Sequence, residues 1–204
     1  MTTFDFIDIG TADFEYSTLD PDCKDCLGLY VEPIKKYLDR IPENSNTLKL
    51  AAAITDEDKD DYIYYIDPDL VEQYNLPAWI KGCNTISKIH PTTISTCLGL
   101  GVKVYDIVTR EPIKCISLKR LFEDLDIHSV KRMKIDTEGS DCGIVRQAID
   151  LVNNTNIVIQ EVTFETNELT PHQEIFSTFD LLERNGWVAV EKGYNSTFRL
   201  KERK

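Results

Sequence analysis

Asp136 and Glu138 stand two residues apart in Met133-Lys134-Ile135-Asp136-Thr137-Glu138-Gly139-Ser140-Asp141-Cys142, after a hydrophobic run and before a helical pattern. A parallel strand delivers acids in this way to the C-terminal rim of an α/β sheet, where such folds bind ligands. Two carboxylates at that rim can orient a hydroxyl and take up its proton while a group is transferred to the oxygen. Each also has a plainer use. Asp136 can satisfy backbone donors at the strand end, and Glu138 can sit near the positive end of the following helix. Gly139 supplies turn geometry in either case.

Two earlier segments offer a cofactor site. Phe6-Ile7-Asp8-Ile9-Gly10 ends a first apolar run on an acid and a glycine, and Leu29-Tyr30-Val31-Glu32-Pro33 ends a second on Glu32. A glycine at such a turn lets a ligand approach backbone N–H groups. An acid about twenty residues further on can accept both hydroxyls of an adenosine ribose, and Glu32 lies 22 residues after Gly10. The turn itself, Gly10-Thr11-Ala12-Asp13-Phe14-Glu15, has one glycine and two carboxylates rather than G-x-G-x-x-G. Those carboxylates repel a diphosphate and tolerate a sulfonium with an ammonium group, which favours S-adenosylmethionine over a nicotinamide dinucleotide. Gly99-Leu100-Gly101 precedes a strand-like run and is misplaced for that role, and the chain has no GxxxxGK[ST] loop.

Other reactive side chains are weaker candidates. Glu161 and Glu165 flank the end of a later strand and either face the acceptor or are solvated. Of the three histidines, His128 falls in a polar loop and His172 in a helical first turn, which leaves His90, before Pro91, as the one to test as a base. Asp56 can reach an adenine amino group but also begins the acidic run 56–61, where a solvated face is the simpler reading. Tyr62, Tyr64, Tyr65, Tyr74 and Trp79 can stack on a sugar-like acceptor, although packing is the commoner use of such a set. A divalent metal needs several convergent oxygen ligands; Asp136 and Glu138 alone do not make that case, so no metal is expected. The six cysteines are read as free thiols, Cys23-Lys24-Asp25-Cys26 included.

These residues need a frame. Apolar runs at 4–9, 27–31, 48–54, 130–135, 157–162, 187–190 and 196–200 read as strands. Between several of them lie helical patterns: Ile34, Tyr37, Leu38 and Ile41; Ile144, Val145, Ala148, Ile149 and Val152 after an N-cap at Ser140; and a helix from Thr170 with Pro171 in its first position, Ile175, Phe176, Phe179 and Leu182 on one face, and Gly186 at its end. The alternation predicts a doubly wound, mostly parallel α/β sheet covered on both faces. Only Glu191-Lys192-Gly193-Tyr194-Asn195 separates the last two strands, so they form an antiparallel hairpin. The chain reads as a single domain, 1–204, with an insertion at about 56–128 near the ligand-binding edge. That insertion holds a strand at 62–66, a helix at 68–74 and a helix at 117–125.

The net charge of −12 argues against nucleic-acid and anionic-membrane partners. No leader-like start and no run of 18 apolar residues occurs, which predicts a cytoplasmic location. Oligomeric state is not specified by any heptad or apolar edge.

Taken together, Asp8-Ile9-Gly10-Thr11, the segment LYVEPIKKYL at 29–38, Ala51-Ala52-Ala53 and MKIDTEGSDC at 133–142 resemble the FkbM-type S-adenosylmethionine-dependent methyltransferases. The resemblance runs from about Phe4 to Glu165. It implies a class I methyltransferase fold with a Rossmann-like seven-stranded sheet, and O-methylation of a hydroxyl on a small molecule or glycan. It also implies that Asp8, Gly10 and Glu32 hold the cofactor and that Asp136 lines the active-site rim, touching the cofactor as well as the acceptor. The chain departs from the family at Phe14, where a second glycine is common, and at 17–25, where Pro21 makes a poor helix. A non-catalytic, methyltransferase-like binding module is the alternative reading. A nucleic-acid methyltransferase is disfavoured by charge and by Asp136-Thr137-Glu138-Gly139 standing where an N-P-P-Y-like motif would be.

Overall fold

A computed structural model describes residues 2–12, 26–43, 45–166 and 169–201. The expected strands form a mixed seven-stranded sheet. Strands β1 (Thr2–Ile9), β2 (Gly28–Val31) and β3 (Thr47–Leu50) are followed by β4 (Ala53–Ile54), β5 (Lys59–Ile66), β6 (Thr85–Ile86) and β7 (Val108–Ile116). Then come β8 (Ile127–Ile135), β9 (Val158–Glu165), β10 (Trp187–Glu191) and β11 (Asn195–Leu200). The order across the main sheet is β10-β11-β9-β8-β1-β2-β3. The pairs β1–β2, β2–β3, β1–β8 and β8–β9 are parallel, while β11 is antiparallel to both β9 and β10. From β1 the chain builds outward to β3, then returns to add β8 on the other side. The strand order therefore reverses between β1 and β8, the point where open α/β sheets bind ligands beyond their C-terminal ends.

Alternation along β1 and β8 explains the core. Ile7, Ile9, Val130, Met133 and Ile135 are buried together with Leu118, Leu121 and Phe122 of α5 (Leu118–Asp124), the apolar stripe of α6 (Asp141–Asn154), and Ile175 and Leu182 of α7 (His172–Arg184). Each such side chain contributes roughly 1.5–3 kcal/mol on burial. Phe6 and Tyr30 belong to a separate cluster with Cys26, Leu38 and Ile41, so both sheet faces are packed. Among the described residues no helix is long and apolar enough to cross a membrane.

Several details differ from the sequence expectation. The run 48–54 is not one strand. The Glu32 N–H donates to the Leu50 carbonyl at 3.1 Å, after which the chain leaves the main sheet and Ala53–Ile54 pairs in parallel with Cys115–Ile116. Strand β4 thereby opens a second sheet, ordered β4-β7-β5-β6, whose other strands lie within residues 59–116. Its long strand β7 is hidden in the sequence by Pro112 and by charges at Arg110, Glu111 and Lys114. The first helical pattern yields only a four-residue α1 (Lys35–Leu38). Helix α7 starts after Pro171, which takes the cap position without a side-chain bond, because Thr170 is buried and does not cap. Phe176 of that helix is exposed rather than core. Finally, Cys26 is disulfide-bonded, whereas Cys83, Cys97, Cys115 and Cys142 are free thiols as expected. Cys23 lies outside the described residues.

Candidate active site

The site is built where the parallel neighbours β1 and β8 end side by side. Gly10 has φ +82, and a Cβ added to it would lie 1.8 Å from the carbonyl oxygen of Asp136. Only glycine satisfies both constraints. Its N–H donates to the Val31 carbonyl at 2.9 Å, and the Asp136 N–H donates to the Ile9 carbonyl at 2.9 Å. The ends of β1, β2 and β8 are thus tied together, with Asp8 fully buried just before the turn. Ala12 then adopts φ +46 and donates its N–H to Glu32 Oε2 at 3.0 Å, while Glu32 Oε1 accepts the Ile34 N–H at 2.9 Å. Glu32, 3% exposed, therefore fastens the β1 turn to the end of β2 in addition to facing the cavity.

That cavity encloses about 370 Å³, within the range of small-molecule sites. Its lining combines apolar Ile9, Val31, Ala53, Ile54 and Ile63 with Gly10, Ala12 and Glu32 and with Asp136, Glu138, Glu165 and Tyr194. The insertion closes it with Cys83, Asn84 and Ile86 and with Trp79, which is half-exposed at the mouth.

The acidic side is well ordered by its neighbours. Asp136 Oδ2 lies 3.3 Å from the Lys134 ammonium. Glu138 sits in the left-handed region at φ +53. The turn carrying it is held by Asp141, whose carboxylate accepts the N–H groups of Thr137 and Gly139, each at 3.2 Å, and the Thr137 hydroxyl at 3.3 Å. Burial pushes the Asp141 carboxyl up to about 6, against the lowering effect of those bonds. Ser140 occupies the cap position of α6 but makes no cap bond with its side chain. Glu165, at the end of β9, accepts a hydrogen bond from Tyr194, whose phenol is raised first by that bond, then by burial and by the Glu165, Glu138 and Asp136 charges. Burial, then Glu138 and Glu165, pushes the Cys83 thiol up to about 12. Three carboxylates, those of Asp136, Glu138 and Glu165, thus come close together in the cavity lining.

His90 caps α3 (Pro91–Gly99) through Nδ1, which accepts the Thr92 N–H at 3.0 Å. A neutral imidazole with Nδ1 as acceptor carries its proton on Nε2, and Nε2 stands 3.5 Å from Glu138 Oε2. Nε2 of His90 thus faces Glu138, at a distance that does not make a hydrogen bond.

Of the residues singled out from sequence, Gly10, Glu32, Asp136, Glu138 and Glu165 line one cavity, whereas Asp8, two residues before Gly10, is fully buried and is not among its lining residues. Glu161 instead pairs with Arg199 on the sheet surface. Asp56 is packed against Gly143 in the first turn of α6 and does not line the cavity. Tyr65 is packed on Tyr37 and donates to Glu111, and Tyr62 lies under the Arg110 guanidinium, so of that aromatic set Trp79 is the one at the cavity. His128 is near Asp126, and His172 is exposed. Asp13, Phe14, Glu15 and the segment 17–25 lie outside the described residues. Tyr194 could have been found from the hairpin, since Asn195 pairs with Glu165 and places the hairpin turn over the end of β9. Cys83 and Asn84 carry no sequence signal.

The family model of the methyltransferase FkbM domain matches residues 8–194, nearly the whole chain. No curated protein and no solved structure matches it. With its match running from the buried acid of β1 to the tyrosine that closes the acidic rim, the chain belongs to the FkbM methyltransferase family.

Proposed function

We propose that the chain is an S-adenosylmethionine-dependent O-methyltransferase acting on a hydroxyl of a small molecule or glycan. The observation that carries this reading is one cavity at the β1/β8 reversal lined both by Glu32 and by Asp136, Glu138 and Glu165. The residues fit the cofactor. Glu32, which accepts the Ala12 and Ile34 amides at the cavity wall, is placed to accept a ribose hydroxyl as well. Ile9, Val31, Ala53 and Ile54 offer adenine an apolar wall. S-adenosylmethionine supplies a methyl group on a sulfonium, which leaves its bonding electron pair on sulfur as the acceptor oxygen takes the carbon. Asp136 and Glu138 orient the acceptor hydroxyl and receive its proton. Trp79 at the mouth offers an aromatic face to the acceptor.

Thermal melts with S-adenosylmethionine and S-adenosylhomocysteine test this reading. Ligand at one hundred times its Kd stabilises by about 2.7 kcal/mol, a rise in Tm of roughly 5–10 °C for a chain of this size. Absence of any shift at millimolar concentration of either compound overturns the proposal in favour of a non-catalytic module.

A further inference from the structure

We propose that Asn84 recognises the base of the cofactor: its side-chain oxygen takes the 6-amino group of adenine, and the insertion thereby makes the site specific for an adenosyl ligand. This assignment rests on the S-adenosylmethionine reading and gives the cofactor a contact from outside the main sheet. Asn84 stands between the 3₁₀ turn Ala78–Gly82 and β6. Side chains alternate along an extended chain, and here Asn84 and Ile86 line the cavity while Thr85 between them does not.

The side chain is held in one orientation. Nδ2 donates to the Lys81 carbonyl at 2.6 Å, and only the nitrogen end of a carboxamide can meet a carbonyl in this way. The other end, Oδ1, is buried and has no hydrogen-bond partner among the described residues. A buried acceptor without a donor is costly. Such an oxygen in a residue of the cavity wall calls for a donor from what the cavity binds.

The surroundings choose the donor. Ile86 packs with Ile63 in an apolar cluster that also holds Ala12, Ile34 and Ala53. Ala12 and Ile34 are the residues whose amides Glu32 accepts. An adenine laid on this wall, with its ribose on Glu32, adjoins the stretch of lining that carries Asn84. Among the described lining residues Asn84 has the one carboxamide, and a carboxamide matches adenine. It accepts from the 6-amino group and can give its second Nδ2 hydrogen to a ring nitrogen. A base with a carbonyl at that position would meet Oδ1 oxygen to oxygen. Asp56, the acid the sequence offers for the amino group, packs against Gly143 and does not line the cavity. The role therefore passes to the insertion.

Calorimetric titration of the full chain with S-adenosylhomocysteine and with S-inosylhomocysteine, which carries a 6-carbonyl in place of the amino group, tests the assignment. A site that hydrogen-bonds an N–H rejects the analogue lacking it, so the parent is expected to bind the adenosyl compound at least tenfold more tightly. Asn84→Leu should weaken that compound roughly tenfold and bring the two affinities to within about twofold of each other. The ratio is read on each folded variant, so a lowered melting temperature does not confuse it, and Asn84→Ala gives the same reading should leucine not fit. Asp56→Asn should keep the preference of the parent. An undiminished preference in the Asn84 variants, its loss in Asp56→Asn, or equal binding of the two compounds by the parent overturns the proposal. Binding of neither compound by the parent overturns the cofactor reading, and this assignment with it.

Discussion

Gly10 and Asp136 touch through their backbones, so closely that no side chain fits between them: a Cβ on Gly10 would fall 1.8 Å from the Asp136 carbonyl oxygen. The turn after β1 and the turn after β8 are thereby in direct backbone contact at the edge of the cavity. Gly10→Ala forces a side chain into the left-handed region, at roughly 1–2 kcal/mol, and overpacks the contact at roughly 1–3 kcal/mol more. The expected loss is about 2–5 kcal/mol in urea unfolding, together with loss of the S-adenosylhomocysteine-induced shift. A variant as stable as the parent would refute the contact as described.

Glu32 carries two loads, and its variants should separate them. Glu32→Ala leaves the Ala12 and Ile34 amides without their acceptor, and Glu32→Gln turns one amide nitrogen toward such a donor. Each unsatisfied buried N–H costs about 1–3 kcal/mol, so both variants should melt lower, alanine more so. The informative readout is the ligand-induced shift, which should fall toward zero in both. A full shift in Glu32→Ala would remove Glu32 from the cofactor site.

Glu138 occupies a conformation that favours glycine, at φ +53, and residues held in that region are often kept for function. Glu138→Gly should relieve about 1 kcal/mol of backbone strain, partly offset by the greater freedom of the unfolded chain. Chemical denaturation should show it equal to or up to about 1 kcal/mol more stable than the parent, while methyl transfer drops at least 100-fold, the usual size of an acid–base contribution. A clearly destabilised variant would mean that Glu138 is structural.

Asp141 gives the turn a pH dependence. Its carboxyl titrates at about 6 in the fold against 3.8 as a free group. Because the folded value is raised, its contribution to stability is complete below about pH 3.8 and is lost as pH rises through about 6. The difference of about 2 units corresponds to roughly 3 kcal/mol. Measured by urea unfolding at pH 4.5 and pH 7.5, the advantage of the parent over Asp141→Asn should narrow by roughly 2 kcal/mol, the rest being lost already below pH 4.5. Comparing the two proteins cancels the other carboxylates, and parallel behaviour would show that Asp141 does not carry this effect.

The main sheet and the strand-end acids were legible because they obey local rules: apolar runs closed by Gly10, Glu32 and Asp136 at spacings the sheet dictates. What escaped depends on distant partners. The split of 48–54 is decided by pairing with Cys115–Ile116, more than sixty residues away, and β7 itself is masked by Pro112. Thr170 has the composition of a helix cap but is buried instead. In the site, Glu161 and Glu165 look alike in sequence, yet Arg199 claims the first and the cavity the second. His90 was visible as a candidate base, but its tautomer follows from the Thr92 amide, which only the folded turn supplies.

A crystal structure of the chain with S-adenosylhomocysteine is the most direct test of the central claim. The ribose hydroxyls should lie within hydrogen-bond distance of Glu32, with the sulfur facing Asp136 and Glu138 across the cavity. A ligand bound outside this cavity, or one with its ribose turned away from Glu32, would contradict the account.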